Sequence, residues 1–378
     1  MKKIKYILVL ITEAVLHVFY IFPIKKNRIF FISHNGTQYS CNPKYIYECL
    51  RNNHNLNYDY VWCLNKKDLM NEKTKAVKYK SLMFYYYILT SKVIISNDLI
   101  SSNLPIRKKQ KYIETWHGGG AYKKTGKDVY SSDYEKKSVK KISDKMTHFI
   151  SSSSFVSKTK SEGYYIEPHK LLETGMPRND IFFKANDTAK ENVYNYFKLD
   201  KDTKIVLYAP TFRRNSSYNP LLALDIQALL AKLKEKYPGN WCLIYRLHRI
   251  INNENLTYTN VYDARNYPDV QELLVAADIL VTDFSSIMWD FSLQYKPIFC
   301  FIPDIENFKK DDFFTPIEEW PGIISYSNEM LHKNITDFDE KEYLKKVKEH
   351  HRKHNCFDVG TAGESISKLI IEYIEEKR

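Results

Sequence analysis

Several things are missing from this 378-residue chain, and each absence removes a class of protein. Its six cysteines, at 41, 49, 63, 242, 300 and 356, show no CxxC spacing, so the chain reads as a reduced, cytoplasmic protein with packing cysteines. It carries no RNP-like aromatic and basic motif, no zinc finger and no helix-turn-helix signature, which argues against nucleic acid as a partner. No repeat and no low-complexity run breaks it up. No small-residue cleavage site follows the basic start MKKIK, and Glu13, His17 and Pro23 interrupt the first apolar stretch, so this is a poor spanning helix.

What is present is a basic, aromatic-rich chain. Lys+Arg number 57 against 45 Asp+Glu, a net charge of +12 that points to an anionic partner: a membrane surface or a phosphate-rich substrate. On a helical wheel Lys2, Lys3, Lys5, Thr12, Glu13 and His17 share one half, and Ile4, Ile7, Leu8, Ile11, Val15, Val18 and Phe19 the other. That pattern predicts an amphipathic helix over 1–24 lying in the interface of an anionic bilayer; the alternative is a helix docked on the protein's own core.

Beyond it, short β-rich runs end in Gly, Ser, Asn or Asp: IFFISHNG, YDYVWCLN, KVIISND, KYIETWHG and THFISSSS. Amphipathic stretches such as 79–91 and 131–145 separate them, which predicts a parallel sheet covered by helices. The pattern pauses at LLETGMPRNDIFF and restarts with KIVLYAPTFRR, predicting two Rossmann-like α/β domains, 25–185 and 186–378, the second closed by the C-terminal helix. Ligands of open α/β sheets bind beyond the carboxyl ends of the strands, and the polar motifs sit at such ends.

In ETWHGGGAYKKTG, His117 ends a strand and Gly118–Gly120 predict a turn into the next helix. Bare N–H groups there can cradle an anion, let a substrate lie against the backbone, and gain charge from Lys123 and Lys124; the plain alternative is a permissive turn beside a core histidine. In VTDFSSIMWDF, Thr282, Asp283, Ser285 and Ser286 form a strand-to-helix turn that suits a diphosphate or serves as an N-cap. YRLHR sets His248 between Arg246 and Arg249, and YAPTFRR sets Thr211, Arg213 and Arg214 after a strand; either is an anion site or an exposed strand end. GMPRND, with Arg178, is a site or a linker turn. HHRKHNC, with His350, His351, His354 and Cys356, reads as a solvated helix end, since no second ligand pair stands near it.

In order, WHGGGAYKKTG, TGMPRND, YAPTFR, RLH and TDFSS, followed by FDVGTA, resemble the CDP-glycerol glycerophosphotransferase family of teichoic-acid and capsule assembly, over roughly residues 28–365. The chain departs from it at Gly119–Gly120, where the family often has Thr-Pro, and at Arg249. The resemblance implies a GT-B-like fold, two Rossmann-like domains facing a cleft, with the acceptor on the first and the CDP-linked donor on the second. It implies attack by an acceptor hydroxyl on the distal phosphorus of CDP-glycerol, with release of CMP. His117 would be the general base and His248 would polarise the diphosphate. Thr282, Asp283, Ser285 and Ser286 would hold phosphates, with Gly118 and Thr211 beside them, and Arg178, Arg213 and Arg246 would offset charge. No metal or other cofactor is implied, cationic side chains taking that place. The expected partners are CDP-glycerol or CDP-ribitol, an undecaprenyl-linked or polymeric glycan acceptor, and the cytoplasmic face of the membrane. The competing readings are a GT-B transferase using a CMP-sugar and a non-catalytic membrane-surface scaffold.

Overall fold

The computed structural model describes residues 11–52, 57–65, 74–211, 213, 219–247 and 258–376. The chain divides into two units, 1–117 with 125–180 and 357–378, and 118–124 with 181–356.

Unit 1 is built on seven strands: β1 Lys25–Ile32, β2 Asp59–Cys63, β3 Lys75–Val77, β4 Ser91–Ser96, β5 Lys111–Glu114, β6 His148–Ile150 and β7 Leu171–Leu172. They pair in parallel in the order β3-β2-β1-β4-β5-β6-β7. Runs such as RIFFI and KVIIS are apolar on both faces because helices cover both sides of a parallel sheet. One side of the sheet packs Phe30, Val61 and Ile94 against helices Leu82–Thr90 and Asp133–Lys145. The other packs Phe31, Trp62 and Ile95 against helix Cys41–Asn52 and Ile366 and Ile370 of helix Ala362–Glu375.

That last contact corrects the expected domain boundary. The closing helix belongs to unit 1, because its apolar stripe fits this sheet face and because two separated motifs clasp its start. Asp180 accepts the N–H groups of Ala362 (3.1 Å) and Gly363 (2.7 Å), and Asp358 accepts the N–H of Met176 (2.7 Å). Gly175, at φ +81, lies so close that a Cβ would sit 2.8 Å from the Asp358 Cα. The TGMPRND and FDVGTA motifs are the two halves of one clasp.

Unit 2 carries β8 Lys204–Ala209, β9 Trp241–Tyr245, β10 Val261–Asp263, β11 Ile279–Thr282, β12 Ile298–Phe301 and β13 Ile323–Ser325. All pair in parallel, in the order β10-β9-β8-β11-β12-β13. Both sheets reverse strand order beside their first strand, the switch point at which open α/β sheets bind ligands.

The amphipathic-helix expectation falls partly on residues 1–10, which lie outside the described residues. Within 11–21, Leu16 and Phe19 are buried in the core of unit 1. Glu13 pairs with Lys141 and, at 3.7 Å, with Lys145. Phe19, expected on the lipid face, therefore faces the protein, while Ile11, Val15, Val18 and Ile21 remain exposed. No described helix is long and apolar enough to cross a membrane.

Candidate functional site

The register of unit 1 brings three strand ends together. Ile32 of β1 pairs with Ser96 of β4, and Ser96 pairs with Glu114 of β5. The residues that follow therefore emerge side by side at the switch point: His34, Asn97 with Asp98, and His117.

His117 Nδ1 lies 2.8 Å from the carbonyl of Asn97 and 3.2 Å from Asp98 Oδ1. A carbonyl only accepts, so Nδ1 carries the proton and Nε2 presents a lone pair. The His117 side chain stays 42% exposed, open to a ligand. Asp98 also has His34 Nδ1 at 3.8 Å. Burial pushes the Asp98 carboxyl up, but the hydrogen bond from His117, its charge and that of His34 together carry it below the usual carboxylate range. Asp98 and His34 were not singled out in the sequence. The polar ends of KVIISND and FFISHNG were the available signal, but strand order was needed to join them.

The turn that delivers His117 is strained and clamped. Trp116 adopts φ +55, a left-handed conformation that costs a bulky residue about 1–3 kcal/mol. Its N–H donates to Oε1 of the fully buried Glu114 at 2.9 Å, and its carbonyl accepts from Asn42 Nδ2 at 3.0 Å. Its indole stacks on the His117 ring, centroids 4.7 Å apart, while the buried Lys160 ammonium lies 4.4 Å from the indole centroid. Arg178 Nη1 donates to the His117 carbonyl at 2.8 Å. Arg178, expected to offset phosphate charge, is thus buried as a brace of the histidine loop. Burial pushes the Glu114 carboxyl up to about 8, so near neutrality it is largely an uncharged acid, accepting from Trp116 and from the Tyr112 hydroxyl at 2.5 Å. Glu114→Gln, an uncharged isostere, is therefore expected to keep activity within severalfold. Glu114→Leu strands the buried Trp116 N–H, a loss of about 1–3 kcal/mol, and should lower both melting temperature and kcat. Equal damage from both variants, in paired melting and rate measurements, would show that the carboxyl charge matters instead.

Two of the three glycines behind His117 are bare for a packing reason. None of Gly118, Gly119 and Gly120 has positive φ, and no helix follows directly. A Cβ on Gly119 would stand 2.3 Å from Trp289 Cδ1 and one on Gly120 would stand 2.4 Å from the Tyr122 ring. Gly118 is buried. At Gly119 and Gly120 the bare backbone makes room for the protein's own aromatic rings. Lys123 likewise pairs as a β-bridge with Phe313, its ammonium 4.9 Å from the Phe308 ring centroid.

In unit 2, Ala209 of β8 pairs with Thr282 of β11, and Tyr208 with Tyr245 of β9. This gathers Thr211, Asp283, Ser285 and Ser286 at the switch point, with Arg246 one strand away. Asp283 is fully buried and accepts the Thr211 N–H and hydroxyl (2.9 and 3.0 Å) and Arg213 Nη1 (2.8 Å). Arg213 also grips Asp304 through Nε at 2.8 Å and Nη2 at 3.2 Å, and stacks 4.6 Å from the Phe284 ring centroid. A guanidinium held between two carboxylates shapes the turn; it is not an open phosphate cation. Asp304 was not anticipated, as it stands 91 residues away. Thr282 spends its hydroxyl on the Ala209 carbonyl at 2.6 Å, and Arg246 Nη1 donates to the carbonyls of Ala264 (3.0 Å) and Tyr267 (2.8 Å). Ser285 and Ser286 are half-buried; Ser285 Oγ accepts the Ile287 N–H at 3.4 Å, leaving its hydroxyl proton to donate, and Ser286 makes no capping bond with its side chain. His248, Arg214 and Arg249 lie outside the described residues.

The histidines of HHRKHNC form a buried cluster, contrary to the solvated helix end expected. His350 Nε2 meets the Tyr122 hydroxyl (3.1 Å), His350 Nδ1 the Glu319 carbonyl (3.0 Å), and His351 Nε2 the Ser292 hydroxyl (2.7 Å).

Residues 14–372 match the family described as CDP-Glycerol:Poly(glycerophosphate) glycerophosphotransferase. A teichoic acid poly(glycerol phosphate) polymerase of Bacillus spizizenii is 30% identical over 91% of this chain and 95% of its own length. A teichoic acid poly(ribitol-phosphate) polymerase of the same organism is 29% identical over 86% of this chain but only 53% of its own length. The solved wall teichoic acid polymerase TagF superposes with a TM-score of 0.85 at 25% identity, over 99% of this chain and 96% of that one.

Proposed function

We propose, since this chain belongs to the CDP-glycerol:poly(glycerophosphate) glycerophosphotransferase family, that it transfers glycerol phosphate from CDP-glycerol to a hydroxyl of a teichoic-acid or related polyol-phosphate acceptor. The observation that carries the reading is the His117 imidazole, with Nδ1 tied to Asn97 and Asp98 and Nε2 open. Nε2 takes the proton of the acceptor hydroxyl, whose oxygen attacks the distal phosphorus. The bond from that phosphorus to the bridging oxygen breaks, and CMP leaves with the electron pair. Asp98 orients the ring and favours the imidazolium as it forms. Arg178 braces the loop from behind.

Unit 2 takes the nucleotide diphosphate. Ser285 and Ser286 donate to it, and the Thr211–Asp283–Arg213–Asp304 lattice fixes their turn so that its donors need no reorganisation when charge develops. Arg246 braces the strand end at this point, and His248, two residues on in the sequence, is assigned to polarise the diphosphate on the family motif alone. The exposed Ile11, Val15, Val18 and Ile21, next to Lys25 and Lys26, support docking on the anionic cytoplasmic face of the membrane, where a lipid-linked acceptor is available.

The relative that polymerises ribitol phosphate keeps CDP-ribitol as a second donor. Radiolabelled CDP-glycerol, CDP-ribitol and CMP-sialic acid, each incubated with the protein and a membrane fraction, test the reading. CMP is expected from a CDP-polyol and not from the CMP-sugar. Release from CMP-sialic acid alone would make the protein a sugar transferase, and release from none would leave a scaffold.

A further inference from the structure

One buried asparagine touches both histidines at the switch point of unit 1. The main-chain carbonyl of Asn97 lies 2.8 Å from His117 Nδ1, and its side chain faces His34. The backbone N–H of His34 can only donate, and it reaches Asn97 Oδ1 at 2.9 Å. That contact fixes which way round the amide lies: Nδ2, a donor, is the atom 3.2 Å from His34 Nε2. His34 Nε2 therefore accepts, and the neutral ring carries its proton on Nδ1. His34 Nδ1 lies 3.8 Å from Asp98 Oδ2, while His117 Nδ1 lies 3.2 Å from Oδ1. Each oxygen of one carboxylate faces the protonated nitrogen of a different imidazole. The backbone that presents the second ring is costly: His34 and Asn35 sit at φ +46 and +53.

We propose that His34, locked by Asn97 in its Nδ1–H form, is a positioning residue for the Asp98–His117 pair. The inference rests on the transferase reading above. At 3.8 Å the contact is longer than a hydrogen bond, so His34 orients the carboxylate electrostatically and leaves its charge in place. With Oδ2 drawn toward His34, Oδ1 stays on His117 Nδ1 while the acceptor's proton moves onto Nε2. A charged His34 would instead offset the Asp98 carboxylate and weaken its hold on the His117 imidazolium. Asn97 opposes that state, because the added proton on His34 Nε2 would point at the amide hydrogens of Nδ2. The amide cannot turn round without costing the His34 N–H its acceptor. Tyr79, Tyr112 and Glu114 also act on Asp98, and burial holds all three largely uncharged near neutrality. Among the described residues no lysine or arginine pairs with this carboxylate, so its orientation falls to the two imidazoles.

The test uses the full chain with isotope-labelled histidine. Long-range proton–nitrogen spectra near neutrality, with the His34 signals assigned by their loss in His34→Asn, should show His34 in the Nδ1–H form. In turnover, His34→Gly removes the ring and accepts left-handed backbone, and it should lower kcat about five- to tenfold with the KM for CDP-glycerol within about twofold. His34→Asn tolerates the same backbone and keeps an N–H donor toward Asp98, so it should recover most of that loss. In an Asp98→Asn background His34→Gly should cost less than about twofold, since a role played through the carboxylate has nothing left to act on. An Nε2–H spectrum would overturn the proposal. So would an equal cost of His34→Gly in both backgrounds, or a His34→Asn variant as slow as His34→Gly. The spectrum needs no substrate, so it judges the lock even if the donor panel denies the transferase reading.

Discussion

His117→Ala is expected to lower kcat by about 10²- to 10⁴-fold, the usual contribution of a positioned general base, while CDP-glycerol binding measured by calorimetry changes little. The size follows from the geometry. The Asn97 carbonyl fixes the proton on Nδ1, the Trp116 indole stacks on one face of the ring, and Arg178 braces the backbone behind it. The ring is thus aimed and in the right tautomer before any substrate arrives. Little of this concerns donor affinity, because the residues assigned to the nucleotide belong to unit 2. Asp98→Asn should cost about tenfold or more in kcat, yet less than loss of the ring, since Asn97 still fixes the tautomer. If His117→Ala kept wild-type turnover, or lost it only together with a lower melting temperature, the histidine would be a structural residue.

The strands that carry this site were legible because each is a short apolar run closed by polar residues, and a parallel sheet buried on both faces leaves that mark. The position of His117 at the end of β5 was legible for the same reason. Its partners were not. Asp98 and His34 follow other strands, and only the order β1-β4-β5 makes them neighbours; a linear chain holds no record of which strands pair. The same limit hid Asp304 from Arg213 and the FDVGTA clasp from Asp180. The glycines misled for a different reason: a bare backbone looks alike in sequence whether it admits a phosphate or, as at Gly119, the edge of Trp289. The histidines at 350, 351 and 354 did leave a trace. With Tyr343 and Val347 they repeat at helical spacing on one side of helix Glu340–His354, the period of a buried face inside a lysine- and glutamate-rich stretch.

That buried face is expected to cost the protein stability as pH falls below about 6.5, the ordinary histidine value. His350, His351 and His354 are 3%, 9% and 6% exposed. The neutral rings of His350 and His351 already have hydrogen-bond partners. His350 Nδ1 donates to the Glu319 carbonyl, and Nε2 accepts from Tyr122. The Ser292 hydroxyl gives its proton to the Trp289 carbonyl, so His351 Nε2 must donate to Ser292. Burial, and then the charge of His354, push His350 down to about 3 and His351 down to about 4, from 6.5. Between those values and 6.5 the unfolded chain binds protons that the folded chain does not, so stability is lost as pH falls. At pH 5 the loss is about 2 kcal/mol per ring, at 1.36 kcal/mol per pH unit, or about 4 kcal/mol for the two. Against a typical total of about 5–15 kcal/mol this is a large share, and it should lower the melting temperature of unit 2 by about 10 °C between pH 7 and pH 5. His351→Gln keeps a donor for Ser292 and removes one titrating ring, so its melting temperature should fall by only about half as much over the same interval. A wild-type melting temperature that stays flat from pH 7 to pH 5 would mean that the cluster opens to take up protons without unfolding.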